Sequence, residues 1–293
     1  AFSRYFNDGD GSFTIGYTNQ NIDELSGMAS TTANSSYGKY AASDYNNRTA
    51  QRSIYETEHR LFATMSSTHY FLGADKPTTF NLYFERKSGL PGTYSWDTYT
   101  SRNYGGTAYQ REAFGYEKNL NDDSSHLIYV PTGLTDPNVC WGSCAGAPDL
   151  AIANQVLDML YNQLGLASYA GQIVPNGVYE YPWQTSLDLK ITQILPGFRA
   201  EDEFVISLGI ENLLNLIDSD NGEIKYGPYN GKMAVLDMYM NDDFSKYIYP
   251  NYKGRGYPDW AYGFNQSNPK GIRKSAVNSI WRAQLGFTYK FSF

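Results

Sequence analysis

The sequence lacks any apolar run that approaches the roughly 20 residues of a membrane-spanning helix. Its 293 residues include only three His and two Cys, which are too few and too scattered for a zinc ligand set. Positive charge is also scarce, since 23 Lys and Arg face 30 Asp and Glu and leave a net charge of −7. These shortages argue against a helical membrane protein, a zinc protein and a nucleic-acid-binding protein.

Catalytic motifs are missing as well. The sequence contains no Gly-x-Ser-x-Gly, no Walker loop and no His-Glu-x-x-His, and none of its His lies in a motif typical of a general base. We therefore predict no enzymatic activity and no cofactor. The acidic clusters 121–123 and 241–243 leave surface calcium as an open alternative. The segment Asn7–Gly11 lacks the Glu that closes a calcium loop and is better explained as a hairpin turn.

Aromatic residues, by contrast, are abundant. The chain has 27 Tyr, 15 Phe and 5 Trp, and these rings make up 16% of the residues. Charged residues reach only 18%, whereas soluble domains average about 25%. Rings favour half-buried, pleated surfaces, so this composition favours a β-rich protein.

The last 13 residues alternate without a break. Apolar residues occupy every second position from Trp281 to Phe293, and polar or small residues lie between them. This period of two predicts a strand with one apolar and one polar face. A terminal strand with a full row of rings is typical of an outer-membrane barrel, whose final strand turns its apolar side to lipid. Rings near strand ends are expected to form an interfacial girdle; these are Trp183, Trp281, Tyr289 and Phe293.

Seven segments show strand patterns in all: 1–6, 12–22, 54–70, 79–96, 183–195, 203–217 and 279–293. Short connections at 7–11, 71–78 and 196–202 alternate with long, Tyr-rich ones at 23–53, 97–182 and 218–278. This asymmetry is typical of outer-membrane barrels, with short turns on the periplasmic side and long loops outside. Asp188, Lys190 and Glu211 lie opposite the apolar positions, which suits a wet lumen. The fold class we predict is all-β, an antiparallel transmembrane β-barrel.

Three further features lie in the long connections. Pro148 and Asp149 open a predicted helix that Gly165 closes, and its apolar face is that of a packed loop: Ala153, Val156, Leu157, Leu160 and Leu164. Cys140 and Cys144 are separated by a segment that permits a tight turn, and an oxidising compartment favours their disulfide. Eight loop rings either stack on a ligand or pack on one another: Tyr94, Trp96, Tyr99, Tyr104, Tyr226, Tyr229, Tyr249 and Tyr252.

Several segments resemble the TonB-dependent outer-membrane receptors. The run Ile210-Glu211-Asn212-Leu213-Leu214-Asn215 resembles an element near the end of their barrels. The ending that contains Gly286, Tyr289, Phe291 and Phe293 is similar to the signal read by the barrel assembly machinery. Further segments resemble the Oar-type subgroup; they are Phe84–Pro91, Leu127–Pro131, Asp136–Val139 and Leu187–Phe198.

The resemblance implies that residues 1–293 are the C-terminal part of a barrel of about 22 strands, because seven strands are odd in number and too few to close. It implies a location in the outer membrane of a Gram-negative-type bacterium. The partners would be membrane lipid and lipopolysaccharide, the assembly machinery, and the TonB system through plug and N-terminal domains absent from these residues. The function would be the capture and inward transport of an extracellular ligand.

Two other functions stay open from the residues alone. One is a structural or adhesive surface protein whose barrel serves only as an anchor. The other is a secreted soluble β-domain that binds glycans. An upstream plug and TonB-binding segment would separate the receptor from the anchor, and a requirement for detergent would exclude the soluble domain. No residue of the sequence identifies a ligand.

Overall fold

A seven-stranded antiparallel sheet, termed here the main sheet, dominates the computed structural model. The strands follow one another in the sheet in chain order, and each pairs only with its sequence neighbours. The prediction of a mostly β protein with seven such strands is confirmed. The strands are β1 (Phe2–Phe6), β2 (Gly11–Asn19), β3 (His59–His69), β4 (Thr78–Lys87), β5 (Gln184–Pro196), β6 (Glu203–Glu211) and β7 (Arg282–Lys290).

The structure describes residues 1–25, 31–32, 36, 41–44, 47–97, 126–142, 144–148, 150–199, 201–227, 231–237, 239–241, 243, 245–249 and 272–291. Within these ranges the connections alternate as predicted. Short turns join β1 to β2, β3 to β4 and β5 to β6, and long segments join the other pairs. We refer to the two ends of the main sheet as its turn end and its loop end.

Several predicted strands are shorter than the sequence pattern suggested. The segment 54–70 begins as a strand only at His59, and two other segments end well before their predicted limits. The segment 79–96 divides into β4 and a separate strand, Pro91–Asp97, which leaves the main sheet. Gly89 lies at the break, where an added Cβ would sit 2.1 Å from the carbonyl oxygen of Tyr181. Pro91 then offers no N–H for a ladder. The segment 203–217 ends as a strand at Glu211, because Asn212 takes a left-handed conformation with φ 53°.

Small sheets and short helices fill the long connections. Pro91–Asp97 pairs in parallel with Lys232–Asp237 and antiparallel with Tyr179–Glu180. Tyr247–Tyr249 lies between Val139–Trp141 and Tyr239–Met240. Two-stranded pairs join Asp23–Glu24 to Gln51–Arg52 and Lys225–Tyr226 to Arg273–Lys274. The helices are α1 (Leu150–Asp158), which continues as a π turn over Met159–Gln163, and α2 (Leu213–Ile217), with single 3₁₀ turns at Asn7–Gly9 and Ala167–Tyr169.

Helix α1 confirms the predicted loop helix. All five predicted apolar residues are buried, and Gly165 takes φ +72° where the helical segment ends. Asp149 lies outside the described residues. None of the helices within the described ranges is long and apolar enough to cross a membrane.

The buried hydrophobic cluster lies entirely in these connecting segments, and we call it the loop core. Its members come from 94–181 and 233–249, and no member belongs to the main sheet. Leu160, Val156 and Ile128 are completely buried in it. Among the described residues, the packed core is therefore formed by the long connections, and the main sheet supplies none of its buried members.

Candidate functional site

The two faces of the main sheet differ in chemistry. Directly paired residues of antiparallel strands point to the same face, so the register assigns every side chain to a side. The apolar positions of the strands fall on one face, termed here the apolar face. Its central row is Phe13, Met65, Leu82, Leu189, Ile210 and Ala283.

The apolar face is not covered by another layer of the described protein. Ile15 is 44% exposed, Met65 46%, Leu285 58% and Phe287 62%. The loop core, which is the buried hydrophobic cluster, contains no residue of the seven strands. A soluble β-sandwich would bury these side chains against a second sheet, and the described residues supply no such sheet.

The opposite face is polar and concave. Its rows include Thr64, Tyr83 and Asp188, followed by Ser66, Asn81 and Lys190. These residues, with Ser12, Gly209 and Glu211, line a concavity of about 450 Å³. The three charges predicted to face a wet lumen, Asp188, Lys190 and Glu211, therefore lie together on this face. The concavity is open, as expected for one segment of a curved wall.

Ion pairs cross the polar face at its loop end. Arg60 Nε lies 2.6 Å from Glu85 Oε1, and Lys87 Nζ lies 3.2 Å from Glu85 Oε2. Tyr83 donates a hydrogen bond of 3.2 Å to the same carboxylate. The Glu85 carboxylate thus contacts one cation of its own strand and one of β3, and the Arg60–Glu85 pair supports the register of β3 against β4.

The family-motif residues form the end of β6 and the start of α2. Ile210 and Glu211 close the strand, and Leu213, Leu214 and Asn215 open the helix. Asn212 at the junction donates from its backbone N–H to Asp188 Oδ1 over 2.8 Å and from Nδ2 to the carbonyl of Gly222 over 2.9 Å. The motif therefore shapes a turn above the concavity. The receptor function attached to it by resemblance stays a prediction.

Asn215 extends the same turn to the last strand. Its Nδ2 donates to the carbonyl oxygens of Ser219 and Asn221, and its Oδ1 accepts from the Trp281 backbone N–H over 3.3 Å. Trp281 directly precedes β7, so Asn215 connects the strand pair β6 and β7 at the loop end. Sequence reasoning assigned the motif to a strand and missed this short helix.

The predicted assembly-signal residues lie on β7 and at the turn end. Gly286 pairs with Ser207, and an added Cβ would meet Ser207 Oγ at 2.6 Å. Tyr289 donates to Asp202 Oδ2 over 2.7 Å, accepts from the Phe198 backbone N–H over 2.8 Å and packs against Phe291. Tyr289 therefore holds the turn between β5 and β6 against β7. Phe293 lies outside the described residues, and recognition by the assembly machinery stays a prediction.

Aromatic rings collect at the loop end of the apolar face. The His59 ring stacks on Trp183 at 5.9 Å and on Tyr17 at 6.1 Å between centroids. Tyr17 Oη lies 2.8 Å from His59 Nδ1. The guanidinium of Arg86 lies 5.5 Å from the centre of the Trp183 ring. We call these four residues the ring ledge. Trp183 was predicted as a girdle residue, whereas His59 and Arg86 were not singled out.

The predicted disulfide between Cys140 and Cys144 is confirmed, with Cα atoms 5.0 Å apart. It lies beside Trp141, whose ring packs at a tilt against Tyr249 with centroids 5.2 Å apart. The Trp141 indole N–H donates to the carbonyl of Leu134. The bridge therefore closes a tight loop at the border of the loop core.

Two of the loop rings considered for ligand stacking instead pack on other rings. Tyr94 is 1% exposed and stacks on Tyr179 at 4.4 Å, and Tyr249 is fully buried. Burial raises the pKa of Tyr94 and Tyr179, and it raises the pKa of Tyr181 to about 12, so these phenols stay neutral. Tyr226 is exposed. The side chain of Trp96, and all of Tyr99, Tyr104, Tyr229 and Tyr252, lie outside what the structure describes.

One arginine joins distant segments above the loop end. Arg52 contacts Glu56 at 2.6 Å, Glu58 at 2.8 Å and Glu180 at 2.7 Å. Burial lowers the pKa of Arg52, but the hydrogen bonds and charges of Glu180 and Glu56 outweigh burial and raise it. Arg52 ties the connection before β3 to the one before β5. The sequence gives no local signal for this group, because Arg52 and Glu180 are 128 positions apart.

The described residues contain no group of three or more His, Cys, Asp or Glu side chains placed to hold a metal ion. Asn7 and Asp8 take positive φ angles in the turn between β1 and β2, which agrees with the hairpin interpretation. The cluster 121–123 and Asp242 lie outside the described residues.

No protein-family model, curated protein or solved structure matches this chain. The geometry defines a mostly β protein with a seven-stranded antiparallel sheet and a separate packed core formed by its long connections. One face of the sheet is polar and concave, and the other is apolar and is not covered by any part of the chain that the structure describes.

Proposed function

We propose that this chain forms part of the wall and the extracellular cap of an outer-membrane β-barrel receptor. The observation that carries the proposal is the main sheet, in which seven consecutive antiparallel strands present one apolar face that no described residue of another layer covers. Exposure of a contiguous apolar surface of this size to water is unfavourable. Contact of the same surface with the hydrocarbon of a membrane carries no such free-energy cost.

Strand length supports the same proposal. Soluble strands average about 5–6 residues, and membrane-spanning strands need about 9–11 when tilted by about 45°. β2, β6 and β7 have nine residues each, β4 has ten, β3 has eleven and β5 has thirteen. Every strand of the main sheet except β1 therefore reaches the length that crosses a bilayer.

The polar face and the loop core complete the arrangement. A barrel of this class has a polar lumen, short periplasmic turns and long extracellular loops. The concavity lined by Asp188, Lys190 and Glu211 corresponds to the lumen side, and the loop core with its disulfide corresponds to the extracellular cap. In this scheme the outer β1 and β7 edges of the main sheet pair with further strands, because a membrane-spanning sheet cannot leave backbone groups unpaired.

The receptor class within the proposal, TonB-dependent and Oar-type, rests on the motif resemblance at Ile210–Asn215 and on the ending that contains Tyr289 and Phe291. An extracellular ligand would meet the cap first and then the polar face. The folded, disulfide-bonded loop core also favours a second candidate, a barrel-anchored adhesive surface protein. A plug domain and a TonB-binding segment in the same polypeptide support transport, and their absence supports anchoring.

The test places a charge on each face of one strand. Leu189 lies at the centre of the apolar face, and Thr192, on the same strand, lies on the polar face between Thr79 and Ser207. We expect Leu189→Arg to destabilise the inserted protein by about 2–4 kcal/mol. Thr192→Arg should insert like the unmodified protein. Heat-modifiable gel mobility and protease protection in the outer membrane measure insertion.

Equal insertion of the two variants would count against the proposal, because it would mean that lipid does not touch the apolar face. Recovery of the unmodified protein in a soluble, detergent-free fraction would favour the secreted β-domain instead.

A further inference from the structure

The ring ledge at the loop end of the apolar face has a chemistry of its own. We propose that it holds the phosphate group of a membrane lipid, with Arg86 as the binding cation and Trp183 beside it. The inference rests on the proposed function, since it requires the apolar face to lie against lipid.

The position of Arg86 on the sheet is the first argument. Arg86 lies in one row with Leu61 and Thr185, on the apolar face. The next row toward the turn end consists of Ala63, Phe84 and Leu187, all apolar. A lipid whose acyl chains cover Phe84 and Leu187 therefore places its headgroup beside Arg86. A free anion such as inorganic phosphate offers no chain that continues onto this apolar surface.

The charge of Arg86 is the second argument. Its side chain is exposed, and within the described ranges it makes no ion pair with a carboxylate. The carboxylates in the neighbourhood already have cations: Glu85, on the opposite face, holds Arg60 and Lys87, and Glu58 and Glu180 hold Arg52. The charge of Arg86 is thus available to bind an anion from outside the protein.

The geometry around the guanidinium suits a phosphate. The Arg86 guanidinium lies 5.5 Å from the centre of the Trp183 ring, within cation–π range. An arginine beside an aromatic ring can still donate its N–H groups to a further partner. Trp183 is 44% exposed and Tyr17 60%, as expected for rings that face a headgroup layer. The fork of an arginine matches two phosphate oxygens at once.

The test uses purified full-chain protein in dodecyl maltoside micelles, which contain no phosphate, with lipid A as the probe. Native mass spectrometry measures the bound lipid A. We expect Arg86→Gln to weaken lipid A binding about tenfold, as the loss of one charged hydrogen-bonding group predicts. Arg86→Lys should retain most of the binding.

Lys87→Gln is the matched control. Lys87 is the next residue on β4, carries the same charge and faces the opposite side, where it pairs with Glu85. Its removal should leave lipid A binding unchanged. An equal loss in Arg86→Gln and Lys87→Gln would overturn the inference, because it would point to general electrostatic attraction.

The source of the phosphate is tested separately. Dephosphorylated lipid A should bind the unmodified protein weakly. Because this comparison uses only the unmodified protein, its result does not depend on the folding of a variant. Equal binding of the two lipids overturns the inference. Displacement of lipid A by inorganic phosphate at the same concentration also overturns it, since the site would then recognise a free anion.

Heat-modifiable gel mobility measures the insertion of each protein preparation. This measurement distinguishes a failure of the proposed function from a failure of the lipid-phosphate site. If the unmodified protein does not insert, the proposed function fails. If it inserts and Arg86→Gln binds lipid A as tightly as the unmodified protein, only the lipid-phosphate site fails.

Discussion

His126 is buried at the border of the loop core, where its segment bridges to Ala42. Burial lowers its pKa to about 4, and the nearby positive charge of Lys232 adds to the effect. Because the pKa in the folded state lies below the ordinary value of about 6.5, protonation favours the unfolded chain. The folded protein therefore favours the neutral imidazole of His126 over the imidazolium.

We therefore predict that the loop core loses stability as the pH falls from about 6.5 to about 4, by about 3 kcal/mol in total. Above this window His126 is neutral in both states and contributes no pH dependence. Urea unfolding of the protein at a series of pH values, followed by tyrosine fluorescence, measures the effect.

The His126→Gln variant keeps a neutral side chain of similar size and should flatten this part of the profile. Parallel profiles for the variant and the unmodified protein would show that other groups cause the acid sensitivity.

At the scale of single elements, alternation in the sequence was sufficient to predict the main sheet. The period of two fixes which residues share a face, so β5, β6 and β7 match their predicted segments within a few residues apart from the helical end of 203–217. Strand ends were predicted less well, because they depend on contacts made elsewhere in the chain. The break after Lys87 depends on the close approach of Gly89 to Tyr181, which no local pattern reveals.

The segment that follows β6 and contains α2 depends on two residues with left-handed backbones. Asn212 has φ 53° and Gly222 has φ +67°, and an added Cβ at Gly222 would lie 2.0 Å from Asn212 Oδ1. We predict that Gly222→Ala destabilises the protein by about 1–2 kcal/mol from the backbone conformation alone, with the side-chain clash in addition. Thermal unfolding in detergent measures the loss.

Gly209→Ala is the control for this change. Gly209 lies on the polar face of β6, and nothing lies within 4 Å of the Cβ that the substitution would add. A similar loss of stability in the two variants would mean that the turn contributes no more than an ordinary position of the sheet.

At the scale of the whole molecule, the sequence pattern distinguished the strands of the main sheet from the segments that connect them. It did not predict how the connecting segments fold. The helix over 150–158 was predictable because its apolar residues repeat at helical spacing. The parallel pairing of Lys232–Asp237 with Pro91–Asp97 joins segments about 140 positions apart and leaves no periodic trace. The ion pair of Arg52 with Glu180 could not be predicted for the same reason, because it also joins segments that are distant in the sequence. What was missed is the long-range packing of the loop core, which holds most of the buried hydrophobic side chains of the described residues.

Since the loop core contains no residue of the main sheet, its stability should change independently of the sheet. Leu160 is completely buried in the loop core, and we predict that Leu160→Ala lowers the free energy of unfolding of the loop core by about 2–5 kcal/mol. The heat-modifiable mobility of the sheet should stay unchanged. Limited proteolysis of intact cells and gel mobility measure the two effects in parallel.

Leu150→Ala is the matched control, because Leu150 begins the same helix and is 51% exposed. It should alter neither the proteolysis of the loop core nor the mobility of the sheet, since little buried contact is lost. If Leu160→Ala abolished the heat-modifiable mobility together with the protease resistance, the two parts would unfold as one cooperative unit. In that case the absence of shared buried residues would not be enough to uncouple them, and the main sheet would need the loop core in order to stay assembled.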